Sequence, residues 1–134
     1  MNDEIQKLLE KSEEAIQVAE KLLKESYFSH AASKAYYSMF YATQALLKSE
    51  GINVIKHSAV EAMFGYHFSK TGRIDPKFHK MFIEARDVRE LADYAISDDI
   101  IGKVATQKVE DGKEFIKAIK SLLNKKEQKH ENAN

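Results

Sequence analysis

Apolar residues in this sequence recur every three or four positions, and only one proline and five glycines interrupt its 134 residues. This recurrence matches the 3.6-residue turn of an α-helix, whereas half-buried strands alternate every second residue. The sequence therefore predicts an all-α fold built from amphipathic helices. The expected helices cover residues 3–25, 30–50, 59–70, 76–94 and 103–125.

Two short motifs predict where helices begin. Asp75-Pro76 places an N-capping carboxylate before a proline, which is well suited to the first helical position because its missing N–H needs no partner there. Ser58 and Glu61 have the spacing of a capping box, in which the serine and glutamate side chains bind each other's free backbone amides. We therefore expect Glu61 to be engaged at the start of the third helix.

The size of the chain predicts one domain with a short tail. Hydrophobic residues make up 43% of the sequence, which is enough to form a single core. The helical domain is expected to span residues 1–125. Residues 126–134 are polar and lack a periodic apolar position, so we expect this tail to be disordered.

Charge and cysteine content restrict the class of function. The 21 basic and 21 acidic residues cancel, so nucleic acid or an anionic membrane could be bound only by a local patch. The sequence has no cysteine, which excludes thiolate chemistry and fits a cytoplasmic location. It also lacks a signal core, a membrane span and metal-ligand spacing among its histidines. We expect a cytoplasmic protein that needs no membrane, metal or cofactor.

The second predicted helix contains three of the six tyrosines, within the run Ala35-Tyr36-Tyr37-Ser38-Met39-Phe40-Tyr41-Ala42. Helical spacing places these tyrosines on two faces. The face expected to be core comprises Ala32, Tyr36, Met39, Phe40, Thr43, Leu46 and Leu47. The other combines aromatic surface, hydroxyl groups and positive charge, and comprises Lys34, Tyr37, Tyr41, Gln44 and Lys48. This second face suits a partner helix, a base or a phosphate.

Arginine is rare in the chain, and two of its three arginines, Arg86 and Arg89, lie one turn apart in the fourth predicted helix. Angular spacing places Arg89 at the edge of the buried side of this helix, with Asp93 four residues further on. Two interpretations follow. Arg89 and Asp93 could form an internal ion pair that locks two helices, or the two guanidinium groups could bind an anion such as phosphate.

These segments together resemble the HEPN family, in its small stand-alone prokaryotic branch. The resemblance is carried by the alanine-rich Tyr-Tyr-x-Met-Phe-Tyr helix over residues 31–47, by Lys56-His57-Ser58, by residues 64–72, and by Arg89-Glu90-Leu91-Ala92-Asp93-Tyr94. It implies an up-and-down bundle of four to five helices that dimerises, with a polar cleft near the dimer axis. Many relatives are partners of minimal nucleotidyltransferases in toxin–antitoxin pairs, and many others are metal-independent ribonucleases.

The sequence departs from the pattern of the ribonuclease members, which carry an arginine followed after four to six residues by a histidine on the fourth helix. None of the six positions reached by this spacing from Arg86 or Arg89 is histidine. Arg73 and His79 have the formal spacing but flank Asp75-Pro76, so Arg73 is expected in the preceding turn. RNA cleavage would lack its usual proton carrier, and we expect the protein not to be an active ribonuclease.

Other candidate residues follow from the resemblance and from residue type. His57 matches the histidine that the family usually has before the third helix, and either faces the cleft or is an ordinary loop histidine. Tyr37 and Tyr41 either stack a base or bury their rings in the bundle. Tyr94 matches in type and neighbourhood a tyrosine that antitoxins modify in related pairs.

The predicted function is a nucleotide- or RNA-binding HEPN-like module. We expect a homodimer that partners a nucleotidyltransferase-fold protein in a toxin–antitoxin-type system. The candidate binding residues are Lys34, Tyr37, Tyr41, His57, Arg86 and Arg89. Two alternatives remain: an endoribonuclease toxin that uses Arg86, Arg89 and Asp93 without a histidine, and a non-catalytic dimeric scaffold.

Overall fold

Five α-helices make up the computed structural model, which describes residues 2–94, 96 and 100–133, the last four of these by their backbone alone. The helices are α1 (Asp3–Lys24), α2 (Phe28–Ser49), α3 (His57–Phe64), α4 (Pro76–Tyr94) and α5 (Gly102–Ala133). A π-helical segment, Gly65–Ser69, continues α3. The described residues contain no strand, and the all-α prediction is confirmed.

Helix α2 is the centre of the bundle and packs against α1, α3, α4 and α5. The face predicted to be core is buried at every position, while Lys34 is exposed and Tyr37, Tyr41, Gln44 and Lys48 are partly buried. Alanines on the remaining sides of α2, including Ala31, Ala35 and Ala42, are also fully buried. Small side chains at these positions allow neighbouring helices to approach the α2 backbone closely.

Helix α5 approaches α2 closely at Gly112. A Cβ atom at this position would lie 2.7 Å from Cδ1 of Ile16 and 3.1 Å from Oγ of Ser38, so the glycine lets three helices meet. Helix α1 is joined to α2 nearby, where the Ser12 hydroxyl donates a 2.6 Å hydrogen bond to the Ser38 carbonyl. This bond satisfies a buried hydroxyl that would otherwise destabilise the interface.

Aromatic rings join α3, α4 and α5 beneath α2. The ring of Phe115 lies 5.5 Å from those of Phe64 and Phe82, measured between centroids, and all three side chains are fully buried. Phe82 also stacks on Tyr36 at 5.6 Å. Each such ring contributes about 1.5–3 kcal/mol through burial. Together they fix α4 against α2 at the level of the candidate site.

The start of α4 agrees with the sequence prediction. The Asp75 carboxylate accepts a 2.9 Å hydrogen bond from the backbone N–H of Lys77, and Pro76 is the first helical residue. The capping box predicted at Ser58 and Glu61 is wrong. Helix α3 begins at His57 with Lys56 in the capping position, which has no side-chain capping bond, and the Glu61 carboxylate has other partners.

The end of α5 also differs from the prediction. The helix was expected to end near residue 125 and to be followed by a disordered tail, but it continues to Ala133. Lys126 holds this part of α5 to the end of α2 by an ion pair with Glu50 and a hydrogen bond to the Ser49 carbonyl. Since lysine, glutamate and glutamine are good helix formers, an established helix extends through them at little cost. Residues 97–99 of the break predicted at 97–102 lie outside the described residues, and α5 begins at Gly102.

No described helix combines the length and the apolar character needed to cross a lipid bilayer.

Candidate functional site

The candidate site is centred on Tyr36, whose side chain projects from α2 into the core and is fully buried. Its hydroxyl donates a 2.7 Å hydrogen bond to Oε2 of Glu61 on α3. Burial raises the pKa of Tyr36 well above its usual value, and the hydrogen bond to Glu61 raises it further. The phenol therefore stays protonated and acts as a fixed hydrogen-bond donor.

Glu61 joins Tyr36 to Arg86. Its second oxygen, Oε1, accepts a 3.0 Å hydrogen bond from Nη1 of Arg86 on α4. The Glu61 side chain is only 4% exposed, whereas that of Arg86 is 34% exposed. A buried carboxylate destabilises the fold unless cations or donors contact it, and Glu61 has one of each.

Arg86 has a second carboxylate partner on its solvent side. Asp87 Oδ1 accepts hydrogen bonds from Nη2 at 3.0 Å and from Nε at 3.2 Å. The bond to Asp87, followed by the one to Glu61, raises the pKa of Arg86. These bonds use three of the five guanidinium N–H donors, so the outer part of the group can still reach a further acceptor.

Arg89 contacts the aromatic ring of Tyr36 directly, whereas Arg86 is connected to Tyr36 through Glu61. Its guanidinium carbon lies 5.1 Å from the centroid of the Tyr36 ring and 5.9 Å from that of Tyr37, which is cation–π geometry. Nη1 forms a 2.8 Å ion pair with Asp93. Nε is buried and has no hydrogen-bond acceptor among the described residues. The prediction that Arg89 is partly buried beside Asp93 is confirmed, since its side chain is 13% exposed.

Arg86 and Arg89 thus meet at the same tyrosine, one through Glu61 and the other through the aromatic ring. We call Tyr36, Glu61, Arg86 and Arg89 the arginine cluster. It joins α2, α3 and α4, with Arg86 in contact with Glu61 and Arg89 in contact with the Tyr36 ring.

A group of aromatic rings adjoins the arginine cluster, formed by Tyr37, Phe40, Tyr41 and His57. The ring of His57, at the start of α3, lies 4.4 Å from Phe40, 5.6 Å from Tyr36 and 5.7 Å from Tyr37. Tyr37 in turn lies 6.2 Å from Tyr41, whose ring is covered by the Lys11 ammonium of α1 at 4.8 Å. His57 and Tyr37 therefore lie beside the arginine cluster, and Tyr41 lies beyond them towards α1.

The other two candidate residues from the sequence, Lys34 and Tyr94, lie apart from the arginine cluster. Lys34 is exposed on α2, one turn before Tyr37. Tyr94 is 81% exposed at the last residue of α4 and follows Asp93. The described contacts join neither side chain to the arginine cluster.

Arg73 and His79, which have the formal ribonuclease spacing, engage different partners. Arg73 forms an ion pair with Glu50. His79 is on α4, and its Nε2 lies 3.2 Å from the Glu61 carbonyl oxygen, with Gly65 leaving space for the ring. Their spacing therefore reflects two separate packing contacts. Within the described part of the chain, no group of three or more His, Asp or Glu side chains could hold a metal ion.

Glu61 is the site residue that the sequence prediction missed. Its local sequence fits a capping box, but it is also a single acidic residue within the apolar stretch Val60-Glu61-Ala62-Met63-Phe64. Helical spacing that places Val60 and Phe64 in the core also places Glu61 close to that side. A glutamate there requires a cation, and this signal could have linked it to Arg86.

The fold and the site define a helical bundle in which the second, third and fourth helices hold two arginines around a buried tyrosine. A family model described as "HEPN domain" matches residues 5–129. The chain belongs to the HEPN family.

Several relatives match most of the chain. "Putative toxin MJ0142" of Methanocaldococcus jannaschii is 37% identical over 132 residues, which cover 98% of this chain and 90% of that protein. "UPF0332 protein PH1297" of Pyrococcus horikoshii is 36% identical over 104 residues, covering 78% and 73% of the two chains. "Putative toxin MJ0605" of M. jannaschii is 30% identical over 123 residues, covering 92% and 91%.

Proposed function

We propose that this protein is a toxin-like HEPN module that binds phosphate groups of a nucleotide or RNA at the arginine cluster. Membership of the HEPN family and the names of two relatives, each called a toxin, support the toxin-like role. The observation that carries the binding role is the meeting of Arg86 and Arg89 at Tyr36.

The arrangement favours phosphate because both guanidinium groups are held in place before any ligand arrives. Arg89 is fixed by two aromatic faces and Asp93, and Arg86 is fixed by Glu61 and Asp87. The third of Arg86 that is exposed offers a planar fork to an oxyanion. Tyr37 and His57 supply aromatic surface beside Tyr36, which suits a base attached to the phosphate.

Binding is tested with ATP and, separately, with a short single-stranded RNA, so that the two sources of phosphate are distinguished. Arg86→Ala is expected to weaken binding at least tenfold while the mass of the native assembly stays the same. Arg73→Ala is a matched control, because Arg73 is also partly exposed and paired with a glutamate. Absence of binding, or equal losses in the two variants, would overturn the proposal.

We place the protein in a cytoplasmic two-component system as a homodimer with a nucleotidyltransferase-fold partner. The exposed Leu91 and Tyr94 at the end of α4 supply apolar surface next to Asp93, which supports assembly near the site. Co-expression with a nucleotidyltransferase encoded by an adjacent gene should give a complex that survives size-exclusion chromatography. Light scattering should give twice the chain mass for the protein alone, and a monomer would contradict the dimer.

A non-catalytic dimeric scaffold is the second candidate, and the charge of the site favours it. Glu61, Asp87 and Asp93 outnumber the two guanidinium groups that they contact. A site with surplus negative charge attracts phosphate weakly. A dimer that binds neither ATP nor RNA would establish the scaffold.

Ribonuclease activity is not favoured. An arginine stays protonated near neutral pH and cannot carry a proton to and from the ribose, and the Asp93 carboxylate would repel the phosphate. Purified protein should leave a structured RNA intact in the presence of a chelator. Cleavage that disappears in Arg86→Ala would establish the enzyme instead.

A further inference from the structure

Glu61 occupies a distinctive position, because it is an almost fully buried carboxylate bound to the same guanidinium group that the proposed function assigns to phosphate. One oxygen contacts Arg86 Nη1 at 3.0 Å and the other contacts the Tyr36 hydroxyl at 2.7 Å. We propose that Glu61 is the internal anion of the site and determines which ligands bind, by competing with phosphate for Arg86. This inference rests on the proposed function.

Chemistry supports competition because carboxylate and phosphate oxygens use the same guanidinium N–H donors, in the same plane and at the same distances. The negative charge of Glu61 beside Arg86 therefore reduces the attraction that Arg86 exerts on any second anion. Burial makes this effect strong, since water and salt screen a charge poorly when its side chain is 4% exposed.

Tyr36 keeps Glu61 in this position. The tyrosine is fully buried on the central helix, so its hydroxyl cannot move away, and it holds one carboxylate oxygen while the other faces Arg86. His79 approaches the Glu61 backbone carbonyl from α4. The carboxylate is thus held by Tyr36 and Arg86, and the backbone of Glu61 is contacted separately by His79.

Competition selects the ligand by charge. An anion with one negative charge gains little at an arginine that is already paired with Glu61 and Asp87. A polyphosphate chain or successive phosphates of RNA can engage Arg86 and Arg89, the second cation of the arginine cluster, together. We therefore infer that the site discriminates against single phosphate groups and accepts ligands with several.

Asp87 provides the matched comparison. It also binds Arg86, but its side chain is 60% exposed, so its charge is screened by water. Glu61→Gln and Asp87→Asn each remove one negative charge beside the same guanidinium, and each retains an oxygen that can accept a hydrogen bond. The two variants differ in the burial of the charge.

The experiment measures the affinity for inorganic triphosphate, ATP and a short single-stranded RNA by calorimetry, for the full chain. Glu61→Gln should tighten binding on the order of tenfold and should bring inorganic monophosphate into the measurable range. Asp87→Asn should change affinity only about twofold. The gain in Glu61→Gln should disappear when Arg86→Ala is added.

The outcomes separate the two proposals. If the wild type binds through Arg86 but Glu61→Gln binds equally or more weakly, this inference is wrong and the proposed function stands. If only Glu61→Gln binds, and does so through Arg86, the inference is supported. If neither binds, both are overturned. A purely structural role for Glu61 would lower stability without raising affinity.

A second variant covers the case in which Glu61→Gln does not fold, as judged by circular dichroism. Glu61→Asp shortens the side chain by one methylene and keeps the charge, so the carboxylate no longer reaches both partners. It should tighten triphosphate binding by a smaller factor, about threefold. Unchanged or weaker binding in a folded Glu61→Asp variant would overturn the inference.

Discussion

The hydroxyl of Tyr36 and the carboxylate of Glu61 form a buried 2.7 Å hydrogen bond between residues that are 25 positions apart in the sequence. This bond joins the central helix to α3, and the contact between Glu61 and Arg86 joins α3 to α4. The three helices that contribute to the site are therefore connected by two polar side chains that are almost completely buried, Tyr36 and Glu61, and by the partly exposed Arg86.

Tyr36→Phe should destabilise the fold by about 1–3 kcal/mol, because it leaves an oxygen of a buried carboxylate without its donor. The free energy of unfolding is measured by urea denaturation. Tyr37→Phe is the matched control, since Tyr37 is partly buried and its hydroxyl makes no hydrogen bond within the described part of the chain. Equal stabilities of the two variants would contradict the importance of the bond.

Gly112→Val should destabilise the bundle by about 1–3 kcal/mol, since even a Cβ atom there would lie 2.7 Å from Ile16. Thermal unfolding followed by circular dichroism gives the loss. Lys117→Val controls for the lower helix propensity of valine, because Lys117 is exposed on the same helix. A loss no larger than that of the control would show that the helices can separate at Gly112 without cost.

Asp75→Ala should cost about 1 kcal/mol, because α4 loses the carboxylate that accepts a hydrogen bond from the Lys77 amide. Asp75→Asn keeps a side-chain oxygen and should retain most of the stability. Urea denaturation of both variants checks the prediction. If alanine and asparagine are equivalent, the cap does not stabilise the helix.

Stability should fall on acidification partly through Glu50, which pairs with Lys126 and Arg73. The hydrogen bond from Lys126, opposed by burial and aided by Arg73, holds the pKa of Glu50 below its ordinary value of 4.5. The unfolded chain therefore takes up this proton first. The contribution, about 1 kcal/mol, is present above the ordinary pKa and is lost as the pH falls through the lowered one.

Glu50→Gln should accordingly reduce the slope of stability against pH below about pH 5. Urea midpoints at a series of pH values give the slope. Glu90→Gln, on the exposed side of α4, removes the same charge and is the control. Parallel curves for wild type and Glu50→Gln would contradict a lowered pKa.

Local pattern was sufficient to predict much of the architecture. The spacing of apolar residues predicted the helices and the two faces of α2, and Asp75-Pro76 predicted the start of α4. The partial burial of Arg89 beside Asp93 also followed from angular position on one helix. Each of these features depends on residues within a few turns of one another, so periodicity and capping chemistry are sufficient to predict them.

The role of Glu61 could not be predicted in this way. Its spacing from Ser58 satisfies a local capping rule, yet its partners, Tyr36 and Arg86, each lie 25 residues away on other helices. A local hydrogen bond competes with distant ones, and packing decides between them once burial makes an unpaired carboxylate costly.

The sequence by itself determined the helices, their buried faces and the presence of two arginines one turn apart, because these properties follow from short-range spacing. The tertiary structure alone decided that Arg86 is paired with a buried glutamate, that Arg89 lies on Tyr36 and that Lys126 of α5 binds Glu50 at the end of α2. Such pairings depend on how helices approach one another, and that geometry is set by the packing of the whole core.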